Sequence, residues 1–308
     1  MKSRFLKCIG RYSRIGALAL FLVAWPVGQA AAGDSPLRIL LTNDDGYDAP
    51  GLGILRDTLV AAGHDVTVFA PLQNRSGSGI RVSIDGTLDV QEQADGVWSV
   101  DGFPADSVLV GLKEHFTAEA PDLVVSGANF GPNLGYAGSS GTVGAATMAA
   151  NIGVPAIAVS VGVNPAEQDE TPIPFPSTFK AFAGAAELTS NLISDLQKTR
   201  SGKGELLPAG TVLNINYPPL SPNVLRGARV SPATWDIGVR IDYLETEEAG
   251  SLDVALRMMD PGEPSDNDAD WQWFARGYAT ITILDDRTDA GEGLRKTISE
   301  RLSISQPD

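Results

Sequence analysis

From residue 38 onward the chain alternates between two hydrophobic rhythms. Arg38 to Thr42 (RILLT) is a short apolar run that stops at Asn43-Asp44-Asp45-Gly46, and from Gly51 to Ala62 the residues Leu52, Leu55, Leu59 and Val60 recur at helical spacing. This pattern predicts a buried strand, a loop and a helix. Similar apolar runs predict strands at Asp65 to Ala70, Asp122 to Ser126 and Pro155 to Ser160, with helices at Pro104 to His115 and Thr142 to Asn151 between them. Short apolar strands alternating with helices imply a mostly parallel sheet covered on both faces, a Rossmann-like α/β architecture. Beyond Val212 the texture changes. Strands are expected at Val212 to Asn216, Ala228 to Ser231, Val239 to Leu244, Leu252 to Met258 and Tyr278 to Leu284, followed by a helix from Gly293 to Leu302. We read this stretch as a β-rich C-terminal extension of one domain covering residues 36–308, with a separate second domain as the other reading.

The first 32 residues follow a different pattern. Lys2, Arg4, Lys7, Arg11 and Arg14 precede an apolar run from Ile15 to Val27, and small residues follow around Ala30 to Ala32. That is the layout of a cleaved signal peptide over residues 1–32, and it predicts export to the periplasm or medium. A stable membrane anchor is not expected, because Trp25-Pro26 breaks a run already shorter than the roughly 20 apolar residues a spanning helix needs. The single cysteine, Cys8, lies in this segment, so the remainder of the chain has no thiol for disulfides, zinc or nucleophilic catalysis. Without these five basic residues, the formal charge moves from −15 to −20. So acidic a surface repels nucleic-acid polymers and anionic membranes, and a phosphate substrate would need a local cation or helix N-terminus to receive it. The Pro-rich stretch from Thr171 to Pro176 and the acidic stretch from Asp260 to Asp270 are read as exposed loops.

Ligands of open parallel sheets bind beyond the carboxyl ends of the strands, so the polar residues that follow each strand are the ones to inspect. Asn43-Asp44-Asp45-Gly46 follows the first strand, Asn74-Arg75-Ser76-Gly77 the second, and Ser126-Gly127-Ala128-Asn129 the third. Together they can direct oxygen ligands at one crevice. Adjacent carboxylates joined by hydroxyl and amide oxygens suit a hard cation with open positions, and such a cation suits phosphate hydrolysis. The plainer reading of Asp44-Asp45-Gly46 is an Asx-turn with a helix cap. Ser139-Ser140-Gly141-Thr142-Val143 opens a helix rich in small residues, which fits either a phosphate receptor or a simple Ser/Thr cap. Gly131-Pro132-Asn133-Leu134-Gly135 is expected to shape the crevice.

Several other motifs lead nowhere. Asp85-Gly86-Thr87-Leu88 resembles the end of a haloacid-dehalogenase phosphatase motif, but Ser83 stands where the nucleophilic aspartate would be. Neither a Gly-x-Ser-x-Gly elbow nor a Walker A loop occurs. His64 and His115 are the only histidines and lie away from the predicted crevice, which disfavours a serine-hydrolase triad and a two-histidine metal site. Trp271 and Trp273 are read as packing residues rather than as flanks of a substrate opening. Two rival classes are an exported ligand-binding protein, which would need two similar lobes, and a glycosyltransferase-like enzyme, suggested by Gly63-His64-Asp65-Val66 before a strand.

Taken in order, several segments resemble the SurE family of survival-protein nucleotidases: Arg38 to Gly46 (RILLTNDDG), Ala70-Pro71 with Asn74 to Gly77, Pro104-Ala105-Asp106, Val125 to Asn133 (VSGANFGPN), Ser140 to Val143, Leu213 to Asn216 (LNIN), and Gly277-Tyr278 with Thr280 to Thr282. The resemblance implies one divalent cation per subunit (Mg²⁺ or Mn²⁺, with Ca²⁺ as an alternative) held by Asp44, Asp45, Ser76 and Asn129. It also implies a metal-dependent phosphomonoesterase acting on nucleoside 5'- and 3'-monophosphates with broad tolerance, and a homodimer or homotetramer that exchanges C-terminal elements. On this reading Asp44, Asp45 and Asn129 are catalytic, and Asn43, Asn133, Ser140, Gly141 and Thr142 contact substrate. Phe103 departs from the small or hydroxylic residue usual at its position in the family.

Overall fold

The computed structural model describes residues 35–135, 137–169, 171–200, 204–234, 239–248, 250–258 and 269–285. The signal-peptide reading and the helix expected over Gly293 to Leu302 lie outside these residues. Residues Ala32–Asp308 form one compact unit.

Its centre is a nine-stranded sheet in the order β3-β4-β2-β1-β5-β6-β7-β11-β8, made of β1 (Arg38–Thr42), β2 (Asp65–Pro71), β3 (Val90–Ala94), β4 (Val97–Val100), β5 (Leu123–Phe130), β6 (Ala156–Val161), β7 (Thr211–Tyr217), β8 (Ala228–Val230) and β11 (Ala279–Asp285). The run from β4 through β2, β1, β5 and β6 to β7 is parallel, whereas β3 and β11 pair antiparallel with their neighbours β4 and β7. The expected mostly parallel sheet is present, and three of the C-terminal strands, β7, β8 and β11, extend it as part of one sheet.

Helices cover both faces, as continuous apolar strands require. Helices α1 (Pro50–Ala61) and α4 (Pro176–Thr199) bury Leu52, Leu55, Leu59, Phe182 and Ile193 against Ile39, Leu41, Val125 and Ile215. On the opposite face α2 (Pro104–Glu114) and α3 (Gly141–Asn151) pack Val108, Val143, Ala146 and Ala149 against Leu40, Phe69, Val124 and Ala158. The small residues of α3 let its backbone approach closely: a Cβ on Gly144 would run into the backbone of Gly79.

The strands β1, β2, β5, β6, β7, β8, β9 (Val239–Glu245), β10 (Leu252–Met258) and β11 and the helices α1, α2 and α3 lie where the hydrophobic pattern predicts them, within a residue or two except where β5 runs on to Phe130. Four α-helices and β-strands were not expected, nor was the short 3-10 helix Pro165–Glu167. Strands β3 and β4 pass unnoticed because β3 (VQEQA) is a mostly exposed edge strand with polar residues between its two ends and β4 has only four residues. The 24-residue α4 begins directly after the Pro-rich stretch, which draws attention from the helical spacing of Phe182, Ala186, Thr189 and Ile193. Helix α5 (Asp270–Ala275) corrects the reading of Asp270 as the end of an exposed acidic loop. Asp270 is fully buried, and its carboxylate accepts the backbone N–H groups of Gly135 at 2.7 Å, Thr234 at 2.9 Å and Trp271 at 2.8 Å. A buried carboxylate needs such donors. Trp271 stacks on Phe274 beside Leu134, which makes it a packing residue as expected.

Strands β9 (Val239–Glu245) and β10 (Leu252–Met258) form a second, two-stranded antiparallel sheet. Tyr243 pairs with Val254. Ile241, Tyr243, Leu252 and Val254 share one face by the period-2 rule, and each is more than half exposed at 51, 66, 58 and 69 %.

Candidate active site

Strand order reverses at β1: the chain goes from β1 to β2 on one side and returns through β5 on the other. This is the topological switch point, where open α/β sheets bind ligands beyond the strand carboxyl ends. Asn43 to Gly46 leaves β1 there, the 74–76 loop follows β2, and Asn129 is the last residue but one of β5.

Each candidate has a defined place. Asn43 is fully buried and closes the loop on itself: its Nδ2 donates to the Gly46 carbonyl at 2.8 Å and its Oδ1 accepts the Gly46 N–H at 3.2 Å. Asn43 therefore shapes the turn that presents the two aspartates. Asp44 points at α3, where its Oδ1 accepts the Thr142 hydroxyl at 2.6 Å. The backbone N–H groups of Thr142 and Gly141 also bond its carboxylate. The first turn of α3 thus holds an anion, and that anion is the side chain of Asp44. Only glycine permits this at position 141, since a Cβ there would lie 2.7 Å from Asp44 Cβ and 2.8 Å from its Oδ2. Ser140 caps the same helix by accepting the Val143 N–H at 3.1 Å.

Asp45 turns the other way. Its Oδ2 accepts the Phe130 N–H at 2.9 Å, and Asn74 Nδ2 approaches its Oδ1 at 3.4 Å. The loop after β2 is tied in by the Arg75 N–H to the Asp44 carbonyl at 2.7 Å, so the exposed Ser76 sits one residue from that tie. Asn129 owes its position to an irregularity in β5: the pairing with β6 shifts register between Ser126 and Asn129, and Gly127 (φ 139°) leaves no room for a Cβ beneath Val159. Asn129 Nδ2 then donates to the Gly131 carbonyl at 2.7 Å, which leaves Oδ1 without a partner among the described residues.

Asn133 is tied into the sheet. Its Nδ2 donates to Ser160 Oγ at 2.8 Å and its N–H to Asn216 Oδ1 at 2.6 Å, while Asn214 and Asn216 donate to its carbonyl at 2.8 and 3.0 Å. Asn214 and Asn216 were not among the expected site residues. Two amides at i and i+2 on one face of an otherwise apolar strand were the available signal. Phe103 also gains a role, lying beneath the guanidinium groups of Arg81 at 4.3 Å and Arg75 at 5.6 Å. His64 lies away from the crevice at the start of β2, accepting the Leu37 N–H at 3.3 Å, and His115 caps α2.

The electrostatics of the aspartate pair are unbalanced. Burial pushes the Asp44 carboxyl up, against the opposing hydrogen bonds from Thr142 and Gly141. Burial likewise pushes Asp45 up to about 6; the Phe130 N–H opposes this and the neighbouring Asp44 charge adds to it. Among the described residues neither forms an ion pair with a Lys, Arg or His. The buried hydroxyls of Thr42, Ser78 and Ser126 also have no partner among the described residues. Two unneutralised carboxylates, an amide oxygen and several hydroxyls form an all-oxygen donor set that a hard divalent cation fits. Among the described residues no group of three or more His, Cys, Asp and Glu side chains is placed to hold a metal ion, so any cation here would depend on amide and hydroxyl oxygens beside the two carboxylates.

Fold and site together define a class: a Rossmann-like α/β domain with adjacent carboxylates at the switch point of its sheet, the buried Asp44 facing a helix N-terminus and the half-buried Asp45 beside it. Comparison with known proteins makes this more specific. Residues 39–236 match the family described as Survival protein SurE. The 5'/3'-nucleotidase SurE of Proteus mirabilis (strain HI4320) is 35 % identical over 255 residues, covering 80 % of this chain and 89 % of that protein. The 5'-nucleotidase SurE of Coxiella burnetii (strain Dugway 5J108-111) is 38 % identical over 196 residues, covering 63 % of this chain and 68 % of that protein. The crystal structure of the SurE protein from Aquifex aeolicus superposes with a TM-score of 0.70 at 27 % identity, covering 85 % of this chain and 98 % of that one. The chain belongs to the SurE family.

Proposed function

We propose that this protein is a phosphomonoesterase that releases phosphate from nucleoside 5'- and 3'-monophosphates, and that it uses one divalent cation held by Asp44, Asp45, Asn129 and Ser76. The carrying observation is the unneutralised pair of buried Asp44 and half-buried Asp45 at the β1/β5 switch point. When bound, the cation supplies charge for the phosphoryl oxygens and acidifies a water that can attack phosphorus. The names of the relatives support the substrate class.

The chain's own residues supply preorganisation. Thr142 and the first N–H groups of α3 hold Asp44, and the Phe130 N–H holds Asp45, so neither carboxylate must reorient when the phosphoryl group arrives. Ser140 Oγ accepts from Val143 and keeps its own proton to donate to a phosphoryl oxygen. Asn129 offers its unpartnered Oδ1 to the centre.

The amphipathic β9–β10 ribbon supports a homodimer or larger homo-oligomer, because an isolated two-stranded ribbon with one apolar face is marginal in water until that face is covered. The first 32 residues support export. Phosphate release from AMP, 3'-AMP and simple phosphomonoesters, measured with Mg²⁺, Mn²⁺ and Ca²⁺ in turn, tests the activity. Turnover is expected to vanish in EDTA and in Asp44→Asn; unchanged turnover in either would overturn the metal-dependent mechanism.

A further inference from the structure

Beside Asp45 lies an aromatic group that the phosphate chemistry does not use. Phe130 donates its N–H to Asp45 Oδ2 at 2.9 Å and directly follows Asn129, so its ring is rooted at the centre itself. That ring sits among three others, with centroids 5.5 Å from Phe179, 5.8 Å from Phe175 and 6.4 Å from Phe182. Phe182 is buried beneath, whereas Phe179 is 36 % exposed, so the cluster reaches solvent on its Phe179 side and the site through the Phe130 backbone.

Phe175 is the only described residue other than glycine with positive φ, at 54°. A bulky side chain in that conformation is strained, and such strain gathers at functional sites. Glu167 holds it there from both sides: its carbonyl accepts the Phe175 N–H at 3.1 Å and its Oε2 accepts the Ser177 N–H at 2.9 Å. Asparagine or glycine would adopt the same backbone more easily, but neither would place a phenyl ring against Phe130.

The geometry points to Phe130, Phe175 and Phe179 as a stacking wall for the planar base of the substrate, which makes this site selective for nucleotides over phosphate esters that lack a base. The inference rests on the phosphomonoesterase reading above. Aromatic side chains hold bases by their π-faces without reading base identity, so the wall favours nucleotides as a class.

The test compares kcat/KM on AMP with kcat/KM on ribose 5-phosphate for the parent, Phe179→Ala and Phe175→Asn. In the variants the AMP-to-ribose-phosphate ratio is expected to fall about tenfold, through KM for AMP, as the loss of one stacking contact implies. A ratio equal to the parent's in folded variants overturns the wall and leaves the phosphatase reading standing; a parent that hydrolyses neither ester removes both. The unmodified protein provides a second measurement. Adenosine should compete with ribose 5-phosphate while ribose does not, and equal failure of both to compete overturns the inference without any variant.

Discussion

Replacing Asp45 by asparagine should make the metal-free protein more stable while removing its activity. In the folded chain burial and the Asp44 charge lift the Asp45 carboxyl from 3.8 to about 6, because no cationic side chain answers it. That difference amounts to about 3 kcal/mol of destabilisation at neutral pH as a ceiling, and about 1–3 kcal/mol once partial solvent access is allowed for. Asparagine keeps an oxygen for the Phe130 N–H and carries no charge, so this penalty should disappear. At about 2–4 °C per kcal/mol for a domain of this size, the gain is readable by calorimetry in EDTA. The sign follows from linkage: with the folded pKa raised, the carboxyl is neutral in both states below pH 3.8, and the penalty grows as the pH rises through about 6. The variant's advantage should therefore be absent near pH 3.8, open between there and pH 6, and level off above. Saturating Mn²⁺ should reverse the order, because at a hundred times its Kd a ligand adds about 2.7 kcal/mol to the parent and little to a variant lacking a ligand charge. An Asn variant that melts at or below the parent in EDTA at every pH would refute the claim that Asp45 is an unanswered charge.

Four further outcomes follow from the same geometry. Gly141→Ala should lower kcat/KM by about a hundredfold with little change in melting temperature, since its Cβ would press on the Asp44 carboxylate 2.8 Å away and displace it; near-parental turnover would show that Asp44 tolerates the shift. Asp270→Ala, which strands the N–H groups of Gly135, Thr234 and Trp271, should cost about 3 kcal/mol or more in a urea titration. Burial lowers the His64 pKa against the opposing Asp122 charge, so the unfolded chain takes up its proton first, and stability should fall as the pH drops below 6.5; His64→Gln should flatten that slope in the melting curve. Tyr243→Lys with Val254→Asp should reduce the molar mass measured by light scattering if the apolar face of the β9–β10 ribbon is the contact between copies, and an unchanged oligomer would place that contact elsewhere.

Much of this was legible in the chain because the relevant signals are local. A buried parallel strand is a short apolar run wherever it lies, and a polar tetrapeptide after it marks the strand's carboxyl end. Asp44, Asp45 and Asn129 could therefore be singled out before any contact was known. Hydrophobic periodicity also placed α1, α2, α3 and nearly every long strand. It missed β3, whose sequence VQEQA carries no apolar rhythm because an edge strand has little to bury. It missed α4 because the Pro-rich stretch before it looked like the start of a loop.

What tertiary structure decided is which group answers which. The opening of α3 reads from its sequence as either a phosphate receptor or a Ser/Thr cap; in the folded chain Ser140 caps it and its first turn also faces Asp44, 97 to 98 positions earlier. Asp270 reads as one of a run of solvated acids and becomes the buried anchor of the Gly131–Gly135 loop. Asn133 reads as a crevice residue, and the fold shows what positions it: Ser160, Asn214 and Asn216. Side-chain type and spacing determine which chemistry is available, because they are carried by the residue itself. Whether a carboxylate meets water, a cation or a helix end depends on segments that are distant in sequence, and only packing of the sheet brings them together.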